Sequence, residues 1–218
     1  MHKLKILNSN FINHNVKRFI LERPKDLIYR PGQSAHISLN IPGWESKIRM
    51  FSFTSLNDWP YLEFIVKIWD KPDAVTYQMG KLNAGAEFLL HDVFGTIKYR
   101  GPGIFIAGGT GITPFLAIFR ALYLTNNLKN IGLIYSNRGQ DDVILHDELQ
   151  HMLGPAYMNV FTRQGVIGFK ERRIDKNFLI QNISYFNGMF YVCGPKGFTE
   201  DITRHLISLG AKPDSLVI

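Results

Sequence analysis

Gly108-Gly109-Thr110-Gly111-Ile112-Thr113-Pro114 is the stretch that decides the fold of this chain. The apolar run Gly103–Ala107 precedes it and predicts a buried strand, and the run Phe115–Leu122 follows it and predicts a helix. Glycine permits a sharp turn, and Pro114 falls near the first helical position, where proline is best tolerated. Free backbone N–H groups and the positive end of the helix dipole favour an anion there. The stretch therefore predicts an anion-binding turn, without the G-x-G-x-x-G spacing of a standard Rossmann dehydrogenase.

Strands and helices alternate from this turn to the C-terminus. The strand candidates are Gly103–Ala107, Ile131–Tyr135, Asn159–Thr162, Met189–Cys193 and Leu216–Ile218. The helix candidates are Pro114–Leu124, Leu145–Leu153, Lys176–Asn182 and Phe198–Leu209. Alternation with short loops predicts an α/β domain whose parallel sheet is covered on both faces.

The chain before the turn is rich in short strands instead. Strand patterns occur at Val16–Leu21, His36–Ile41, Arg49–Thr54 and Leu62–Trp69, and a short helix is predicted at Val75–Leu82. Short strands separated by frequent Pro, Gly and Asp turns predict an antiparallel β-barrel. The segment Arg100–Gly103 is the predicted boundary, which gives one domain at residues 1–99 and a second at residues 100–218.

Composition narrows the classes of function. The chain has 218 residues and a formal net charge of +7, which favours acidic partners or phosphorylated cofactors. Its basic residues are scattered and form no nucleic-acid motif, so we expect no nucleic-acid partner.

The single cysteine, Cys193, excludes an internal disulfide and a cysteine-ligated zinc or iron–sulfur site. The histidines show no ligand pairing, so no metal site is predicted. No apolar run reaches about 18 residues, so we expect a cytoplasmic protein without a membrane span.

Three motifs in chain order carry a family resemblance. They are Arg49-Met50-Phe51-Ser52 (Arg-x-aromatic-Ser), the glycine turn Gly108–Pro114, and Tyr191-Val192-Cys193-Gly194-Pro195. In this order they resemble the ferredoxin–NADP(+) reductase superfamily, over almost the whole chain. The resemblance implies a flavin on an N-terminal barrel and a nicotinamide nucleotide on a C-terminal α/β domain. Because Cys193 is alone, members with a built-in iron–sulfur domain are excluded.

The first motif is the candidate flavin site. Residues two apart in a strand share a face, so Arg49 and Phe51 should point to the same side. The guanidinium of Arg49 could donate two hydrogen bonds to a phosphate, and the Phe51 ring could stack on an aromatic ligand. The resemblance implies that Arg49 contacts a flavin phosphate, that Phe51 stacks on the flavin, and that Ser52 lies near flavin N5. An amphipathic strand with a surface arginine and a core phenylalanine is the alternative. The resemblance implies further flavin contacts from three places. They are Met50 within the motif, the strand backbone at Ile65, Val66 and Lys67, and the helix start at Ala74, Val75 and Thr76.

The helix start decides which flavin is expected. If its N–H groups and the Thr76 hydroxyl bind a pyrophosphate, the flavin is FAD rather than FMN. The family usually has glycine where this chain has Ala74, and a plain helix start is the alternative there.

The glycine turn and the last three residues of the third motif, Cys193–Pro195, are the candidate nucleotide site. We expect Gly109, Thr110 and Gly111 to hold the dinucleotide pyrophosphate, with Thr113 and Pro114 opening the helix. The resemblance places Thr113 near the flavin and Cys193 opposite nicotinamide C4, while Gly194 and Pro195 shape the loop. Hydride transfer needs alignment in a dry pocket, which suits a neutral thiol, although a buried core cysteine is the alternative. Ser136, Asn137, Arg138 and Arg163 follow strand candidates, and the two arginines favour NADPH over NADH.

These features predict an FAD-dependent NAD(P)H oxidoreductase, which we expect to be a monomer. The resemblance implies hydride transfer to the flavin and then single-electron transfer to an acidic flavodoxin or ferredoxin. Two alternatives remain open: a reductase of free flavin, and a non-catalytic flavin-binding electron-transfer subunit.

Overall fold

The structure, a computed structural model, describes residues 1–95, 97–163 and 172–218. The described residues form two compact units. One contains Met1–Lys98 and Thr113–Ala121, and the other contains Tyr99–Ile112 and Leu122–Ile218.

The first unit is built on an antiparallel sheet. Its described strands are β1 (His2–Phe11), β2 (Val16–Glu22), β3 (Ser34–Leu39), β4 (Arg49–Ser52), β5 (Tyr61–Lys67) and β6 (Glu87–Phe94), with helix α1 (Val75–Lys81) after β5. The strand order is β4-β3-β6-β1-β2-β5, and every hydrogen-bonded pair is antiparallel. Just beyond β4, the Thr54 N–H donates to the Glu63 carbonyl of β5 at 3.0 Å, so the two outer strands approach each other. This nearly closed sheet confirms the predicted antiparallel barrel.

Inward side chains of these strands fill the barrel core. Leu4, Phe19, Ile37, Phe64 and Phe88 come from five different strands, and each is at most 1% exposed. Two strands, β1 and β6, were not among the predicted strands. In β1, buried Leu4 and Ile6 alternate with exposed lysines, but the polar second half hides the pattern. In β6, three consecutive buried apolar residues give no period of two.

The second half of the chain alternates strands and helices. The elements are β7 (Gly103–Gly108), α2 (Thr113–Leu124), β8 (Gly132–Asn137), α3 (His146–Leu153), β9 (Tyr157–Phe161), α4 (Lys176–Asn182), β10 (Met189–Cys193), α5 (Lys196–Ser208) and β11 (Leu216–Val217). The strands form a parallel sheet in the order β11-β10-β7-β8-β9. Helices α4 and α5 cover one face with Phe178, Leu179, Ile202 and Leu206. The other face is also buried, at Phe105, Leu133 and Tyr191. The predicted parallel α/β domain is therefore confirmed.

The strand order determines where a ligand can bind. From the central strand β7 the chain adds β8 and β9 on one side, and later adds β10 and β11 on the other. In open parallel sheets, ligands bind at the carboxyl ends of the strands where the order reverses. Here that point lies between β7 and β10, at Gly108 and Cys193.

Candidate functional site

The glycine turn follows β7 directly. Gly109–Ile112 form one short 3-10 turn, and α2 begins at Thr113 with Pro114 in its first turn. Gly109 has φ +54°, a left-handed conformation that favours glycine. A Cβ atom added at Gly109 would meet no atom within 4 Å, so this glycine borders open space. The turn thus offers the backbone approach that a phosphate needs.

Gly111 joins this turn to the third motif. A Cβ atom at Gly111 would lie 2.1 Å from the carbonyl oxygen of Cys193 and 2.6 Å from the Gly194 nitrogen. No side chain fits there, because real Cβ contacts do not come that close. The glycine turn and the end of β10 therefore pack backbone against backbone. The structure brings two predicted motifs, distant in sequence, into one site.

The ring of Phe198 in α5 packs beside Gly108 and Gly194, at the ends of the same two strands. A Cβ atom at Gly108 would lie 3.1 Å from its ring, and one at Gly194 would lie 2.7 Å from it. Pro195 is the residue just before α5, which starts at Lys196, two residues earlier than predicted. Glycines at these positions let the ring fill the space between the ends of β7 and β10.

Cys193 lies at the end of β10, level with Ala107 of β7. Its side chain is partly buried, and burial raises the pKa of the thiol to about 11. At neutral pH the group is therefore a neutral thiol, with no negative charge to oppose an electron-rich partner. The role of Cys193 opposite a nicotinamide stays a prediction, and it requires such a neutral side chain.

The carboxyl ends of β8 and β9 carry the remaining nucleotide candidates. Ser136 and Asn137 are the last residues of β8 and are 8% and 5% exposed, with Ser136 level with Gly108. Arg138 and Arg163 are exposed, and the Arg163 N–H donates to the Arg138 carbonyl at 3.1 Å. The structure therefore brings the two arginines together at one edge of the sheet.

On the barrel, the Arg-x-aromatic-Ser motif forms all of β4. Arg49 is exposed, and its Nη1 donates to the Ile48 carbonyl at 2.8 Å. Among the described residues it has no carboxylate partner, so its charge is available to an anion. Phe51 is partly buried and packs in part against the barrel core, as the alternative interpretation of the motif expected. Its remaining exposed surface is what a flavin ring could contact.

Met50 and Ser52 alternate with these residues. Met50 is 61% exposed. The Ser52 hydroxyl lies 3.1 Å from the Ser34 hydroxyl of β3, within hydrogen-bonding distance. That contact helps to position Ser52 and leaves its hydroxyl able to make further hydrogen bonds.

The other flavin candidates lie on β5 and at the start of α1. Ile65 and Val66 are 4% and 2% exposed, so only their backbone could face a ligand. Lys67 is partly exposed, with its Nζ atom 5.5 Å from the centre of the Trp69 ring. Ala74 precedes α1 in an extended conformation and supplies no side-chain cap. Val75 is buried and Thr76 is partly exposed.

Three polar groups that support these elements were missed by sequence reasoning. The Glu63 carboxylate, 0% exposed, pairs with Arg120 of α2 and with Arg18 of β2. Lys17, 3% exposed, donates to the Gly80 and Leu82 carbonyls at the end of α1, at 3.1 and 2.7 Å. Tyr135 of β8 donates to the Gly109 carbonyl at 2.9 Å. For Glu63 and Lys17, the only indication in the sequence was a charged residue within an otherwise apolar strand.

Residues 105–204 match the family described as "Oxidoreductase NAD-binding domain". The NADH-cytochrome b5 reductase 1 of Emericella nidulans is 32% identical over 160 residues, which cover 66% of this chain and 51% of that protein. The chain thus spans only about half of the first curated relatives that it matches.

Two solved structures share the fold. A ferredoxin NADP+ reductase from Neisseria gonorrhoeae, with bound FAD and NADP, gives a TM-score of 0.82 at 21% identity. The match covers 96% of this chain and 91% of that one. The cytochrome b5 reductase domain of Ulva prolifera nitrate reductase also gives 0.82, at 20% identity, covering 97% and 93%.

The site and these matches define the class of the protein. The chain has the two-domain fold of the ferredoxin reductase-like proteins, which confirms the resemblance carried by its three motifs. Within that fold, residues 105–204 of the second half are the part that matches the oxidoreductase NAD-binding domain family. Among the described residues, no helix is both long and apolar enough to cross a membrane.

Proposed function

We propose that the chain is an NAD(P)H-dependent flavoprotein oxidoreductase that passes electrons from a nicotinamide nucleotide through bound FAD to a separate acceptor. The observation that carries this proposal is the backbone packing of Gly111 against Cys193. It joins an anion-binding turn to a neutral thiol at the point where the strand order reverses. That combination suits a dinucleotide, with its pyrophosphate at the turn and its nicotinamide at the thiol.

The second domain would hold the nucleotide through its backbone. Gly109, Thr110 and Gly111 would contact the pyrophosphate, at the positive end of α2, which Thr113 and Pro114 open. Cys193 would touch the nicotinamide, and Gly194 and Pro195 would shape the loop around it. The open space at Gly109 leaves room for a phosphate on the turn.

The barrel would hold FAD. The exposed Arg49 guanidinium would bind a flavin phosphate, and the free surface of Phe51 and the Ser52 hydroxyl would face the ring. Ile65, Val66 and Lys67 on β5, and Ala74, Val75 and Thr76 at α1, complete the candidate site. When bound, FAD would accept a hydride from NAD(P)H and release two electrons to an acceptor. The FAD in the gonococcal structure of the same fold supports this choice.

Arg138 and Arg163 favour NADPH as the donor. A 2′-phosphate carries a charge that guanidinium forks bind well, and both side chains are exposed at one edge. The relatives called NADH-cytochrome b5 reductases make NADH the competing donor. The Arg138→Ala variant separates the two: it should weaken NADPH affinity about tenfold, as loss of one charged hydrogen bond does, and leave NADH affinity unchanged.

For the acceptor we propose an acidic electron-transfer protein such as a flavodoxin or ferredoxin. The net charge of +7 supports electrostatic steering of an acidic partner. Reduction rates of a flavodoxin, a ferredoxin and a cytochrome b5, measured side by side at low and high salt, test this assignment. A cytochrome b5 reduced fastest would replace the proposed acceptor.

Ala74 supports a second function, the reduction of free flavin. The helix α1 has only 7 residues, and Ala74 gives it no side-chain cap. Such a start is a weak clamp for an FAD pyrophosphate. A free-flavin reductase would purify colourless and would oxidise NAD(P)H only when flavin is added.

The deciding experiment is an absorption spectrum of the purified protein, followed by anaerobic addition of NADPH or NADH. A flavin spectrum that one nucleotide bleaches would support the main proposal. Colourless protein that bleaches added flavin would favour the second function. Bound flavin that neither nucleotide reduces would contradict both.

A further inference from the structure

A buried hydroxyl holds the glycine turn from beneath. Tyr135 lies on β8, next to β7, and its side chain is 0% exposed. Its hydroxyl donates a 2.9 Å hydrogen bond to the carbonyl oxygen of Gly109. The bond therefore fixes the first peptide group of the turn.

The planarity of the peptide bond transmits this constraint. In a trans peptide, the carbonyl of one residue and the N–H of the next point in opposite directions. Because the Gly109 carbonyl points at Tyr135, the Thr110 N–H points away from that buried side chain. The bond also selects one orientation for Gly109, a residue whose φ of +54° belongs to the most adaptable amino acid.

We propose that Tyr135 is a positioning residue for nucleotide binding: its hydroxyl aims the Thr110 N–H at the pyrophosphate. This inference rests on the proposed nucleotide-binding function of the turn. The hydroxyl does not touch the nucleotide, but sets the direction of a donor that does. A turn held in its binding orientation before the ligand arrives has less ordering left to do on binding.

The environment of the hydroxyl keeps it a donor. Burial raises the pKa of Tyr135 well above its usual range, and the Ile144 backbone opposes this only in part. The phenol is thus protonated at every pH at which the protein would work. Its proton is available to the Gly109 carbonyl throughout.

Tyr191 provides a matched control in the same domain. It is also 0% exposed, and its hydroxyl donates to a glycine carbonyl, that of Gly101, at 2.8 Å. Gly101 precedes β7, whereas Gly109 follows it, so this bond lies outside the glycine turn. The Tyr135→Phe and Tyr191→Phe variants each lose one buried hydroxyl and keep the ring.

The test measures nucleotide dissociation constants, steady-state kinetics with an artificial acceptor, and flavin content for both variants of the full chain. For Tyr135→Phe we expect a KM and a Kd for the nucleotide about tenfold higher, with kcat and flavin content within about twofold of the wild type. Tyr191→Phe should lose similar thermal stability but leave the nucleotide Kd within about twofold. Equal nucleotide affinity in Tyr135→Phe and the wild type would overturn the inference and leave the proposed function intact. A wild type that binds neither nucleotide would overturn both.

A second measurement uses the wild type alone, in case Tyr135→Phe does not fold. Titration of isotope-labelled protein with inorganic pyrophosphate should shift the Thr110 amide resonance downfield, as a new hydrogen bond to an anion does. A Thr110 resonance that stays in place while other turn amides shift would refute the proposed aim of this donor.

Discussion

The Arg120 guanidinium donates to the Glu63 carboxylate across 2.6 Å, and both side chains are almost completely buried. Arg120 lies on α2, the helix that starts at the glycine turn, and Glu63 lies on β5 of the barrel. Arg18 and the Thr54 hydroxyl complete the bonds to the same carboxylate, at 2.6 and 2.7 Å. Burial alone would raise the pKa of Glu63, but Arg120, Arg18 and Thr54 outweigh it and hold the pKa below its usual range. The carboxylate is therefore charged and fully paired.

Glu63→Gln should destabilise the protein by about 3 kcal/mol at pH 7, because it leaves a buried arginine without its counter-charge. The lowered pKa in the folded state means that the charged carboxylate contributes stability above its unfolded pKa. That contribution disappears as the pH falls through the folded pKa. Urea unfolding at pH 7 and pH 3 should therefore show a smaller difference between variant and wild type at pH 3. Glu200→Gln, at an exposed pair on α5, is the control and should change little at either pH.

Arg49→Ala should weaken FAD binding about tenfold to a hundredfold, since a charged hydrogen bond to a phosphate is lost. The flavin-to-protein absorbance ratio after gel filtration measures this loss. Arg204→Ala removes an exposed arginine of α5 and controls for charge alone. If Arg49→Ala retains as much flavin as Arg204→Ala, the phosphate assignment is wrong.

Gly111→Ala should abolish nucleotide binding while the barrel keeps its flavin. The new methyl group would overlap the Cys193 carbonyl, so the glycine turn and β10 would have to separate. Gly188→Ala is the matched comparison, because a Cβ atom there would meet no atom within 4 Å and its backbone is not left-handed. It lies just before β10 and outside the candidate site, so nucleotide affinity should stay within about twofold of the wild type. Isothermal titration with each nucleotide distinguishes them, and equal affinities for the two variants would contradict the packing argument.

Cys193→Ala should slow flavin reduction by the nucleotide while leaving flavin bound, because the thiol would align the nicotinamide rather than take part in proton transfer. Anaerobic stopped-flow absorbance at the flavin band measures the rate. Cys193→Ser keeps a small polar group and should recover part of the loss. A reduction rate equal to the wild-type rate in both variants would remove Cys193 from the site.

The Cys193 thiol should also react slowly with iodoacetamide at neutral pH. The pKa of the Cys193 thiol is about 11, so its reactive thiolate form is still increasing at pH 10. An ordinary thiol, with a pKa of about 8.5, is already almost fully ionised at that pH. Mass spectrometry of the alkylated protein between pH 7 and 10 gives the profile, with glutathione as the reference. A profile that levels off near pH 9 would show an exposed, ordinary thiol.

Local patterns were enough to predict the elements of the second domain and the glycine turn. The apolar run before Gly108 and the proline after it are adjacent in sequence, so their signals reinforce one another. No local sequence pattern could predict that Gly111 lies next to Cys193, since this contact depends on β10 pairing with β7. The family resemblance supplied it as an expectation instead.

The barrel was harder to predict because its stability depends on distant pairs. The strand β6 has no alternating pattern, and it is defined by pairing with β1 and β3. The buried Glu63 and Lys17 break the usual rule for charged residues, and each is explained only by partners far along the chain. Such charges are satisfied by the finished fold, which no local window of sequence contains.

The fit of Gly111 against Cys193 also limits how relatives of this protein can diverge. A side chain at position 111 is tolerated only if the end of β10 moves, and moving it displaces the thiol from its place beside the turn. The residue type at position 111 is thus limited by the backbone of a segment far along the chain, whatever side chain stands at position 193. A homologue with any residue other than glycine at position 111 should therefore have lost the nucleotide site, even where all three motifs are otherwise recognisable.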